Sequence, residues 1–251
     1  MFMTKTTLLR YATITMLLAG CSLTKQAPVT NKQTFTFDYT PKESAKPGSA
    51  GMLIALVKPY YATAFSSGGT ELFKRFKEAL GGDIEELILA KGFTMKGPYT
   101  AFDEMIFDDK KRTDVAIQIE IVPEFSSREG RWQEHISLLG ASYNSYTYSG
   151  KASLIGKINL TGVEPLTNER IWSKSVSIPN VENVQIETTV KYSRPLNGNE
   201  ILQDPGVYNA VGKALQEQYL GIMEKIAAHF DAEEFGSLRP QIKELKSKKG
   251  Y

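Results

Sequence analysis

Residues 114–122 read DVAIQIEIV, with Val115, Ile117, Ile119 and Ile121 at every second position. A spacing of two puts these side chains on one face of an extended chain. The stretch is therefore expected to be a strand, with Gln118 and Glu120 on its other face. Such a strand needs something apolar laid over it, so the rest of the chain must supply a sheet and a covering layer.

The covering layer is legible at two places. The segment GGTELFKRFKEAL (68–80) sets Phe73, Phe76 and Leu80 on one helical face, with Thr70 in place to cap it. Gly81-Gly82 predicts an interruption. Asp83 followed by Glu86 resembles a capping box, so the helix is expected to restart at 83 and stop at Gly92. The second element, DPGVYNAVGKALQEQYLGIMEKIAAHF (204–230), is a long helix striped by Val207, Val211, Leu215, Ile222, Ile226 and Phe230. Ser237 is expected to cap a last, lysine-rich helix.

More strands accompany residues 114–122. MLIALVKP (52–59) is an unbroken apolar run ended by Pro59, the pattern of a strand buried on both faces. Thr34 to Tyr39 alternates polar and aromatic residues and predicts a strand, as does FTMKGPY (93–99). SGKASLIGKINLTG (149–162) and RIWSKSVSI (170–178) predict a long hairpin bending near Pro165–Asn168. Residues 40–51 read as a loop and 124–145 as irregular. Residues 180–204 carry turn residues around a short alternating stretch at Val184–Val190. The expected fold is α/β (α+β-like): a single domain with a mixed sheet, a long β-hairpin and helices packed on it.

The N-terminus has a different character. Lys5 and Arg10 precede an uncharged, mostly apolar run from Tyr11 to Gly20, too short to span a bilayer as a helix. It ends at Cys21, the one cysteine of the chain. This is the layout of a secretory signal peptide, and Leu18-Ala19-Gly20-Cys21 resembles the bacterial lipobox. That resemblance implies cleavage before Cys21, diacylglycerol on its thiol and an acyl chain on its new amine. Several acyl chains hold a protein on a membrane where one would not. Ser22, where such signals carry Asp for inner-membrane retention, implies the outer membrane. The chain accordingly divides into a signal peptide (1–20), a tether (21–33) and one domain (34–251).

Charge and cysteine usage limit the remaining options. Lys and Arg number 30 against 28 Asp and Glu, and removal of the leader takes Lys5 and Arg10 with it. The balanced charge that remains argues against a nucleic-acid partner. With the thiol committed to lipid, no disulfide can form, so stability must come from a packed core.

The chain resembles the neuraminyllactose-binding haemagglutinin family of bacterial outer-membrane lipoproteins, also described as flagellar-sheath adhesins. The resemblance covers nearly the whole chain. It rests on the lipobox and on MLIALVKPYYATAFS (52–66), LILAKGFTMKG (87–97), DVAIQIEIVPEF (114–125) and IKELKSKKG (242–250). It implies a palmitate-bearing haemagglutinin or adhesin on the cell surface or flagellar sheath, with a host glycan or extracellular matrix as partner. In that family a lysine-rich segment follows the strand matching 114–122. Here the place reads SSREGRWQEH (126–135), so no binding residue is carried over. A more distant likeness in architecture, to periplasmic lipoproteins of the curli-secretion and penicillin-binding-protein-activator type, implies the alternative. That alternative is a periplasm-facing accessory lipoprotein for assembly of a cell-envelope or flagellar machine, its partner a cell-envelope protein. Oligomeric state is not legible.

No catalytic constellation stands out, and the expectation is a protein that is not an enzyme, with no metal and no cofactor beyond the lipid on Cys21. The two histidines, His135 and His229, are far apart in sequence, and no Cys/His spacing suggests zinc. GVYNAVGKA (206–214) departs from a phosphate loop in its glycine spacing and has Ala where Ser or Thr would hold magnesium. FDEMIFDD (102–109) gathers Asp103, Glu104, Asp108 and Asp109, a pattern more typical of a solvated face. The remaining candidate is SYNSYTYSG (142–150), where Tyr143, Tyr146 and Tyr148, with Trp132 upstream, could stack on sugars. The same alternation also fits a strand turning one face inward.

Overall fold

The computed structural model describes residues 31–63, 70–126, 131–135, 145–190 and 203–249. The expected leader and most of the expected tether, including Leu18, Ala19, Gly20 and Cys21, lie outside these residues, as does Tyr143.

One seven-stranded mixed sheet organises the chain. Its strands are β1 (Leu53–Val57), β2 (Tyr60–Tyr61), β3 (Thr94–Tyr99), β4 (Val115–Ser126), β5 (Arg131–His135), β6 (Ser145–Glu164) and β7 (Glu169–Val190). β1 runs parallel between β3 and β4. β2 continues along the same edge of β4, pairing Tyr60 with Glu120 and Tyr61 with Ile121. β4 pairs antiparallel with β6, which pairs antiparallel with β7 on its other edge. β5 pairs with the far end of β6, beyond the end of β4.

The register of β4 matches its pattern. Val115, Ile117, Ile119 and Ile121 are fully buried, with Ile119 opposite Leu160 and Ile121 opposite Ile158 of β6. Two helices cover this face: α1 (Glu71–Ala90) and α3 (Pro205–Ala227). Short helices α4 (Ala232–Ser237) and α5 (Arg239–Lys248) close one end, where Phe93, Trp172, Phe230 and Phe235 form an aromatic cluster. Gly162 makes room there, since a Cβ on it would lie 3.2 Å from the Trp172 Cβ. The opposite face of β1 is closed by a second small cluster of Ala55, Met105, Ala116 and Val163. It lies under the 3-10 turn Phe102–Glu104 and the short helix α2 (Phe107–Arg112).

Several local expectations are corrected. The first helix does not break at Gly81-Gly82 but runs through both. Its apolar stripe continues through Ile84, Leu87 and Ile88, and that burial outweighs the cost of two glycines, about 1 kcal/mol each. Asp83 is not a cap; it is buried in mid-helix and accepts from the Tyr219 hydroxyl at 2.6 Å. Thr70 occupies the N-cap position without a side-chain bond. The supposed irregular segment 124–145 contains the end of β4, all of β5 and the start of β6, and β7 extends through 180–190. Ser237 ends α4, its hydroxyl donating to the Glu234 carbonyl, and does not cap the last helix.

A further correction concerns residues 34–39. They are extended but join no sheet; they form a strap across α1 and α3. Phe35, Phe37 and Tyr39 are buried, and Phe37 meets Phe76 edge to face and Tyr219 at a tilt, each at a ring distance of 5.3 Å. Side-chain amides of α3 take the place of a neighbouring strand. Asn209 accepts from Gln33 N–H at 2.7 Å, and Gln216 Nε2 donates to the Thr36 carbonyl at 2.8 Å.

Candidate functional site

The sheet face turned away from α1 and α3 carries a row of ordered polar groups beside the part that α2 covers. It is built by the residues of β4 and β6 that alternate with the core. Gln118, Glu120, Asn159 and Thr161 are half-buried, with Ser173, Ser175 and Ser177 of β7 exposed beside them. Register sets Glu120 opposite Asn159 and Asn159 opposite Ser175. Asn159 Nδ2 donates to Glu120 Oε2 at 3.0 Å, and Ser175 Oγ donates to Asn159 Oδ1 at 3.0 Å. The carboxylate only accepts, so it fixes which way the amide points. Tyr60 stands at the end of this row, opposite Glu120 and 44% exposed. Partial burial, with the Glu120 carboxylate second, raises its phenol pKa, so Tyr60 keeps its proton as a donor. Fixed donors and acceptors of alternating kind suit a hydroxyl-rich ligand. Motif reading missed this row because it spans four strands and appears only once the register is known.

The aromatic candidates divide. Trp132 lies in β5, its backbone opposite Tyr148. Tyr148 is 2% exposed and belongs to the core cluster. Tyr146 is half-buried, and its hydroxyl donates to Glu134 Oε1 at 3.1 Å. Tyr146 and Tyr148 thus share one face of β6, and the ring of Tyr148 turns inward.

The acidic segment 102–109 becomes structural bonding. Asp109 accepts from Lys96 and, at 2.7 Å, from the Tyr99 hydroxyl. The Lys96 ammonium, then the Tyr99 hydroxyl, holds the Asp109 carboxyl below its usual range. Tyr99 is pushed up to about 12 by burial and by Asp109. Glu104 accepts from Thr100 N–H. Residues 206–214 lie within α3, whose first turn is capped by Asp204 accepting from Gly206 and Val207 N–H. His229 follows the end of α3. Among the described residues, no group of three or more His, Cys, Asp and Glu is placed to hold a metal ion. None of their helices is long and apolar enough to cross a membrane.

With this geometry in hand, solved structures supply a comparison. A neuraminyllactose-binding hemagglutinin homolog from Helicobacter pylori superposes with a TM-score of 0.54 at 16% identity, covering 83% of this chain and 100% of that one. The chain shares that protein's fold. A lipoprotein from Neisseria meningitidis matches at 11% identity over 64% of this chain and 99% of that chain, with a TM-score of 0.28. A minor lipoprotein from Acinetobacter baumannii matches at 10% identity over 70% of this chain and 90% of that chain, with a TM-score of 0.23. The last two scores are too low to carry an argument. No protein-family model and no curated protein matches the sequence.

Proposed function

We propose that this protein is a lipid-anchored outer-membrane lipoprotein that works by recognition, as an adhesin or as a surface or flagellar-sheath component. The carrying observation is the fold it shares, over 83% of its length, with a hemagglutinin homolog. The leader ending in Leu18-Ala19-Gly20-Cys21 supports the anchor. The row formed by Tyr60, Glu120, Asn159 and Ser175 offers the ligand surface, and a host glycan or a matrix glycoprotein is the ligand class it suits.

Two measurements test this. Radiolabelled palmitate should mark the chain and fail to mark Cys21→Ser. Protease added to intact cells should degrade the domain. Protection until the outer membrane is permeabilised would overturn the surface role and favour the periplasm-facing accessory lipoprotein.

A further inference from the structure

The strap decides which end of the domain carries the tether. Asn209, in the first turns of α3, donates from Nδ2 to the Asn31 carbonyl at 3.0 Å and accepts from Gln33 N–H. The strap then passes Tyr208 with Phe35 and both Phe76 and Tyr219 with Phe37, so the start of α1 lies at the same pole, where the Tyr61 hydroxyl of β2 donates to the Phe73 carbonyl at 2.6 Å. β2 in turn is level with Ile121 of β4. The tether therefore leaves the domain at the level of Ile121, opposite the end closed by α4 and α5.

β6 continues past that level. Ile121 pairs with Ile158, and β6 runs on toward Ser145, flanked by β5 and β7. From Ile158 to Ser145 the contour is about 43 Å at ~3.3 Å per residue, with register shifts between Ala152 and Gly156. From Cys21 to Asn31 the chain can reach at most about 33–36 Å when fully extended. The sheet extension is thus longer than the tether and leaves the domain at the same pole.

We infer that the β5–β6–β7 extension lies on the phospholipid surface that holds the lipid anchor, contacting headgroups. The inference rests on the proposed acylation of Cys21. A domain held this closely cannot lift the extension clear of the leaflet. Arg131, Gln133, Glu134 and Ser149 are exposed along it, a polar surface suited to headgroups and unsuited to insertion. The extension thereby sets the tilt of the domain, and the pole with α4 and α5 points away from the membrane.

The test uses the acylated full-length protein in vesicles of phosphatidylethanolamine and phosphatidylglycerol, nitroxide-labelled at Gln133→Cys or at Ser173→Cys. Both positions are exposed, so neither label disturbs the core. Anchoring should shield the label at 133 from a water-borne nickel complex and leave the one at 173 accessible. A long Gly/Ser insertion after Lys25 should restore access at 133. Full access at 133 in a chain shown by mass spectrometry to be acylated and vesicle-bound would overturn the inference. A chain without acyl groups that stays off the vesicles would instead overturn the reading on which the inference rests.

Discussion

The ring of Phe35 fills the notch left by Gly212 in α3: a Cβ at position 212 would lie 2.2 Å from Phe35 Cε2. A glycine in mid-helix costs about 1 kcal/mol relative to alanine. Here the cost is offset by an aromatic side chain that closes the core from outside.

That contact gives the first prediction. Helix propensity alone would have Gly212→Ala stabilise the protein. The overlap with a rigid ring should win, with a net loss of about 1–3 kcal/mol, the usual range for overpacking. Urea unfolding measures the loss, and faster proteolysis between residues 31 and 46 shows that the strap is the part that lifts. A more stable Gly212→Ala protein would disprove the wedge.

Gly82 provides the contrast. Among the described residues, no side chain and no backbone outside its own helix lies within 4 Å of its Cβ position, whereas Gly81 would meet the Pro59 ring at 3.0 Å. Gly82→Ala should raise stability by about 1 kcal/mol, and Gly81→Ala should gain less. Thermal unfolding of the two variants side by side decides it; equal gains would mean that Pro59 yields freely.

The Asp83–Tyr219 pair predicts a pH effect. Burial raises the Asp83 pKa, with further pressure from Asp38 and Glu86, while the bonds from the Tyr219 hydroxyl and Tyr39 N–H work against the rise. The folded state therefore holds the proton to higher pH than the unfolded state does. This contribution is present below the ordinary carboxylate range and is lost as pH rises through the folded value. Asp83→Asn should remove that loss, flattening this part of the stability profile while keeping an acceptor for Tyr219. Tyr219→Phe should cost about 1–3 kcal/mol at neutral pH by leaving a buried carboxylate short of a donor. Denaturant melts across mildly acid to neutral pH read both; a profile unchanged by Asp83→Asn would refute the assignment.

The polar row predicts a separation of binding from folding. Asn159→Ala removes the link between Glu120 and Ser175 and should cost about 1 kcal/mol of stability. Asn159→Asp sets a second carboxylate against Glu120 and should cost more. Both should abolish adherence to glycan-coated surfaces while the circular dichroism spectrum stays native. Full adherence by a folded Asn159→Asp variant would move the ligand surface elsewhere.

Much of the fold was legible locally. The β4 alternation, the apolar run of β1, the stripe of α3 and the turn at 165–168 each depend on neighbours a few residues apart. The strap was misread because alternation reports one buried face and says nothing about what covers it. Phe35, Phe37 and Tyr39 would look the same in a sheet edge as over two helices. Gly81-Gly82 misled for a related reason, since propensity is a weak local term that a continuous apolar face overrides.

The sequence by itself determined the alternation that makes a sheet, the helical stripes that cover it and an apolar N-terminal run ending at the one cysteine of the chain. These are short-range patterns, fixed by the geometry of strand and helix. Tertiary structure alone decided that Asn209 and Gln216 would hold the strap, that Glu120, Asn159 and Ser175 would form one row, and that the tether and the sheet extension would leave from one pole. Each of these depends on strand register and helix direction, which bring together residues tens to more than a hundred positions apart.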